Sequence, residues 1–207
     1  MGTGEIPIGQ WLNALASRSP TPGGGAAAAL CAATSSSLLG MVAQYTTGEK
    51  WAARADEMQA IIAETSTLRV RAIVLCDADA DAFQAVDAAY KLSKDNEQQK
   101  SVRTVAIQAA LTGAAEPPTH VGDIAVRLVE LAADLAESGN PNVLSDVAVA
   151  SSIARSALES AIANIEINRA QIRDEDVVKR LTTVISQLAD AIEAADRVTA
   201  IVRNKVR

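Results

Sequence analysis

Trp51 to Leu92 reads WAARADEMQAIIAETSTLRVRAIVLCDADADAFQAVDAAYKL, with no glycine and no proline to interrupt a helix. Met58, Ile61, Thr65, Leu68, Ala72, Leu75, Ala82, Val86 and Tyr90 recur at steps of three, four or their sums, which is one helical face. At about 1.5 Å per residue such a helix runs about 60 Å, longer than a compact domain of this size is wide. The spacing therefore predicts a helix that protrudes to meet a second subunit.

The flanking stretches carry the same period. Residues 5–17 read as a short amphipathic helix with Ile8, Trp11, Leu12 and Leu15 on one side. A second helix is expected from about Gly25 to Tyr45, with a break at Thr46 to Lys50. Beyond the long helix, Ser93 to Glu97 reads as a turn with a new N-cap, and a helix runs on to about Ala115. Glu116-Pro117-Pro118 marks a bend before a helix from about Thr119 to Glu137. Ser138 to Asn142 is a strong break, followed by a helix to about Ile172 and a last one capped by Arg173 to Asp176. The last seam is Val177, Leu181, Val184, Leu188, Ile192, Ala195 and Val202. With no strand alternation, repeat or low-complexity linker, the fold class is all-α: a multihelical bundle forming one domain over residues 1–207.

Composition narrows the function. Aromatic residues make up 2% of the chain and the formal charge is −6, so there is neither a basic track nor a stacking platform for nucleic acid. Charges are read as interrupting every apolar run short of membrane-spanning length, and the N-terminus lacks a signal-peptide pattern, which places the chain in the cytosol without a membrane partner. Cys31 and Cys76 read as reduced core thiols. A single histidine, His120, reads as a surface residue and leaves no basis for a zinc site or a histidine triad. The chemistry must run on carboxylates, amides and lysines.

Three features supply such groups. Ser19-Pro20-Thr21-Pro22-Gly23-Gly24-Gly25 precedes a run of alanine and serine, so an extended loop leads into a helix with a bare surface. Its first N–H groups form a seat for an anion or a polar ring edge, or else the start of a tightly packed helix. Asp79 falls near the centre of the long helix's apolar stripe while Asp77 and Asp81 point away, and a carboxylate there is either tied to a neighbouring helix or functional. Asp146, Asn164 and Asn168 share a face of small residues with Ala150, Ala157 and Ala161, which reads as a narrow slot with polar ends or as an interhelical ladder. Lys91 and the terminal Arg197, Arg203, Lys205 and Arg207 read as solvated partners of helix dipoles.

Taken together, these motifs resemble the cyclodeaminase/cyclohydrolase family of folate enzymes. The resemblance rests on Leu12 to Gly25, Met41-Val42-Ala43 and Thr47-Gly48, then on Asp79-Ala80-Asp81-Ala82-Phe83 with Ala88-Ala89-Tyr90 and Lys94. Gly139-Asn140-Pro141-Asn142, Ser145-Asp146-Val147, Asn164 and Asn168 complete it, in order over nearly the whole chain. The chain departs from the family at Ala26, where a serine is common, at Leu92-Ser93-Lys94, where Leu-Pro-Lys is common, and at Glu159, where a basic or small residue is common.

The resemblance implies an intertwined homodimer of long helices acting on a tetrahydrofolate one-carbon bridge, with no metal or redox cofactor. The first expectation is hydrolysis of 5,10-methenyltetrahydrofolate to 10-formyltetrahydrofolate, since no transferase domain accompanies the chain. The alternatives are cyclodeamination of formiminotetrahydrofolate with release of ammonia, a folate-binding helical subunit without turnover, and a plain dimerisation module. Asp79 and Asp146 would flank the reacting carbon, and Lys94 would donate a proton or hold the glutamate tail. Lys50 is a second candidate for the tail. Gly23, Gly24 and Gly25 would floor the pterin, with Asn164, Asn168 and Asn142 as further substrate contacts.

Overall fold

The structure, a computed structural model, describes residues 2–205, so Arg207 lies outside the described residues. Among the described residues seven α-helices follow in order: α1 (Ile8–Leu15), α2 (Gly24–Tyr45), α3 (Ala55–Tyr90), α4 (Glu97–Ala114), α5 (Glu116–Ser138), α6 (Leu144–Arg169) and α7 (Glu175–Lys205). Short 3-10 turns join some of them, and no strand occurs among the described residues. The chain is an all-α bundle.

α2 is the axle. It lies against α3, α5 and α6, and from Gly25 to Ala43 most of its side chains are buried. This corrects the reading of the apolar runs, because no charge falls inside α2 and it is long and apolar enough to cross a bilayer. Alanine, serine and glycine let the neighbouring backbones come close, so α2 ends up inside the bundle. Buried hydroxyls exploit that closeness: Ser35 Oγ donates to the Ala150 carbonyl at 2.9 Å, and Ser36 Oγ donates to the Thr65 carbonyl at 2.6 Å. Ser151 Oγ likewise donates to the Ala195 carbonyl, tying α6 to α7 at 3.0 Å. Leu39, Met58, Leu128, Leu158, Ile165 and Leu188 fill the remaining core.

The long helix has two halves. From Met58 to Cys76 its stripe is buried except at Leu75, but from Asp77 to Ala88 no residue is. Val70, Val74, Phe83 and Tyr90 are exposed. Leu75, Ala82 and Val86 belong to the stripe read from the sequence, yet they are only half-buried. On α1 the expected side is also incomplete: Trp11 is buried, whereas Ile8 and Leu12 are exposed.

Boundaries differ where local chemistry permits more helix. Pro117 and Pro118 sit in the first turn of α5, where no backbone N–H is needed, so the helix starts at Glu116 directly after a bend at Ala115. Asn96 caps α4, its side chain accepting from the Gln99 N–H at 2.9 Å. Asp174 caps α7 through the Asp176 and Val177 N–H groups at 3.0 and 3.2 Å. Lys205 is not merely solvated, since its Nζ bonds the Ala136 carbonyl at 2.9 Å and Glu137 at 2.6 Å.

Candidate functional site

The loop from Pro20 to Gly23 delivers the chain to the N-terminus of α2, directly beside the middle of α3. There Asp79 accepts a hydrogen bond from the Ala26 N–H at 3.2 Å. The seat expected for an anion is thus occupied by the protein's own carboxylate. Burial pushes the Asp79 carboxyl above its ordinary range, and the Ala26 hydrogen bond pulls it partly back.

The contact explains one glycine of the three. A Cβ on Gly25 would coincide with the Asp79 carboxylate, whereas on Gly24 its nearest neighbour would be Asn164 Nδ2 at 3.9 Å, and on Gly23 nothing lies within 4 Å. None of the three takes a positive φ. Close approach at Gly25, rather than unusual backbone conformation, is what the motif requires.

Above this contact lies a cavity of about 360 Å³. The loop and the three glycines form one side, Asp79, Ala82, Phe83 and Val86 of α3 the next, Leu111 and Ala114 of α4 another, and Asn164, Ile167, Asn168 and Gln171 the last. Asp79 is the only ionisable side chain in this lining. Ala82 and Val86, half-buried members of the α3 stripe, therefore line a hollow.

The carboxamides are more specialised than their chemistry alone suggests. Asn164 Nδ2 donates to the Ser160 carbonyl at 2.7 Å, and Asn168 Nδ2 donates to the Ala114 and Asn164 carbonyls at 3.2 and 3.0 Å. Among the described residues no donor reaches either Oδ1, so both oxygens keep their acceptor capacity.

Four of the expected residues lie elsewhere in the single chain. Asp146 shares the angular face of Asn164 on α6, but about five turns, or about 27 Å, separate them along the axis. It is half-buried and lines no part of this cavity. Asn142 stands exposed just before the same end of α6. Lys94 is exposed in the turn after α3. Lys50 is exposed, with its ammonium 4.7 Å from the centre of the Trp51 ring. Glu159 does not affect the cavity's charge, because it pairs with Arg155 at 3.0 Å on the far face of α6.

Other details were missed. Gln171 continues the Asn164, Asn168 series by one more step of three, which the spacing could have revealed. Asp77, read as pointing away, anchors the N-terminal segment by accepting from the Thr3 N–H at 3.1 Å and the Thr3 hydroxyl at 2.6 Å.

Comparison with known proteins bears on what the cavity does. The family model for formiminotransferase-cyclodeaminase matches residues 7–187. A methenyltetrahydrofolate cyclohydrolase of Methylorubrum extorquens is 34% identical over 98% of this chain and 99% of its own. The formimidoyltransferase-cyclodeaminase of Rattus norvegicus is 31% identical over 86% of this chain, which spans only 33% of that longer protein. The crystal structure of formiminotetrahydrofolate cyclodeaminase from Thermotoga maritima superposes with a TM-score of 0.89 over 99% of both chains, at 28% identity.

Proposed function

The chain belongs to the formiminotransferase-cyclodeaminase family, and from that premise we propose that it is a cytoplasmic enzyme hydrolysing 5,10-methenyltetrahydrofolate to 10-formyltetrahydrofolate. The observation that carries the reading is Asp79, a lone carboxylate of raised pKa seated against Gly25 in a cavity otherwise lined by apolar walls and amides. The likeness to a cyclohydrolase over nearly the whole chain supports this reaction.

In this mechanism the pteridine lies between the glycine loop and the α6 carboxamides, with Phe83, Val86, Leu111 and Ile167 against its apolar faces. Asn164 and Asn168 accept from its ring N–H and amino groups. The methenyl bridge is cationic, and Asp79 offsets that charge in a partly desolvated site. Water attacks the methenyl carbon as Asp79 takes one of its protons, giving a neutral tetrahedral carbon bearing a hydroxyl. The bond from that carbon to N5 then breaks. Asp79 returns its proton to N5, the hydroxyl proton leaves to solvent, and the formyl group stays on N10. One water is consumed and one proton released, and no metal or redox cofactor enters.

Cyclodeamination is the second reading, favoured by the name of the Thermotoga protein. It uses the same tetrahedral carbon between two nitrogens, entered by ring closure and left by loss of ammonia. Feeding each folate to the purified protein separates the two: the methenyl absorbance disappears from one and grows from the other. Failure of both would refute the site. The exposed apolar residues along α3, Val70, Val74 and Phe83, support assembly as a homodimer.

A further inference from the structure

The ring cavity does not end at Leu111 and Gln171. Both residues also wall a second hollow of about 300 Å³, shared with Tyr90, Arg103, Gln108 and Arg173. The two hollows differ in charge: one carries a single carboxylate, the other two guanidinium groups. A folate has the same two-part character, a flat ring system at one end and a glutamate with free carboxylates at the other. We propose that the second hollow is the subsite for the glutamate tail, with Arg103 and Arg173 supplying its carboxylate contacts; this rests on the folate reading of the ring cavity.

The arginines are placed for that work. Arg103 donates through Nε and one Nη to the Tyr90 carbonyl at 3.3 and 3.0 Å, and its guanidinium lies 5.5 Å from the Tyr90 ring centre. It is thereby held in orientation with further N–H donors left over. The backbone N–H of Arg173 bonds Gln108 Oε1 at 2.8 Å, which fixes where that side chain starts. Gln108 Nε2 bonds the Gln171 carbonyl at 3.0 Å, and Tyr90 Oη donates to Gln171 Oε1 at 2.9 Å. Gln171 is therefore a braced partition between ring and tail. Among the described residues neither arginine has a carboxylate within ion-pair distance.

The overall charge favours such a subsite. With a formal charge of −6, the protein repels an anionic tail unless cations stand where it lies. Lys94 and Lys50 do not meet this need, since neither lines either hollow.

The test compares 5,10-methenyltetrahydrofolate with the corresponding methenyltetrahydropteroate, which lacks the glutamate, in the wild type, Arg173→Gln and Arg103→Gln/Arg173→Gln. Circular dichroism checks the fold; the exposed Arg173 variant serves if losing Arg103, which binds the end of α3, proves disruptive. The wild type is expected to show a KM about tenfold or more lower for the glutamate-bearing compound, an advantage reduced in Arg173→Gln and abolished in the double variant. A wild type that treats both compounds alike, or a folded double variant that keeps the full preference, overturns the tail subsite while turnover leaves the ring reading intact. No turnover and no binding of either compound by the wild type overturns both.

Discussion

Gly25→Ala should separate the contact between α2 and Asp79 from the general preference of helices for alanine. The added Cβ coincides with the Asp79 carboxylate, which is held by the Ala26 N–H at 3.2 Å. Either Asp79 leaves its seat or α2 and α3 move apart. Overpacking of this kind costs about 1–3 kcal/mol, and the forfeited bond to a charged acceptor about 1.5 kcal/mol more. Removing a helical glycine returns up to about 1 kcal/mol. A net loss of about 1.5–4.5 kcal/mol follows, roughly 3–18 °C in Tm for a chain of this length. Displacing the carboxylate by about 1 Å should also lower turnover about 10²-fold. Gly24→Ala meets its nearest neighbour only at 3.9 Å and Gly113→Ala meets none within 4 Å, so both should unfold at or slightly above the wild-type temperature. Thermal unfolding of the three variants, with methenyl turnover of Gly25→Ala, decides the matter. If Gly25→Ala melts with Gly24→Ala and retains wild-type turnover, the seat has been misread.

Asp79→Asn should raise stability at neutral pH. The folded-state pKa of Asp79 is raised, so its favourable contribution is complete below the unfolded pKa and fades as pH climbs through the folded one. The variant's advantage in a denaturant titration should therefore shrink to nothing at acid pH; a constant or opposite difference contradicts the burial argument. Glu64 has the reverse sign, because the hydrogen bond from Arg127 at 2.7 Å holds its carboxyl below the ordinary value. Its contribution exists above the unfolded pKa and disappears as pH falls through the folded one. With both side chains more than a third exposed, Glu64→Gln should cost less than about 1 kcal/mol at pH 7. Burial, with Asp77 and Asp79 adding to it, pushes the Cys76 thiol up to about 12. A thiol reagent at pH 8 should modify Cys76 only after denaturation, and rapid labelling of the folded protein would count against its placement.

Much of this architecture is legible in the chain because a helix announces itself through uninterrupted period and capping. Asn96 and Asp174 cap where polar residues precede a new stripe. The glycine loop, Asp79, Asn164 and Asn168 are legible for a different reason, as exceptions to the pattern around them, and the fold gathers all of them into one hollow. Asp146 lies apart from this hollow in the single chain because a helical wheel fixes an angle and says nothing of height along the axis. The α3 stripe reads as continuous because half-buried walls of a cavity are as apolar as a core; only tertiary contact tells Val86 from Leu68. Arg103 and Arg173 carry no local anomaly, since polar residues beside turns are ordinary. They converge only through packing of α4 against the end of α6.

The most direct test of the central claim is the decay of methenyl absorbance from 5,10-methenyltetrahydrofolate with wild-type protein and with Asp79→Asn, each against the spontaneous rate. A wild-type rate well above background, falling about 10²-fold or more in the variant, is the result that proton transfer by Asp79 requires. Equal enzymatic rates for the two proteins would remove Asp79 from the chemistry and contradict the mechanism built on it.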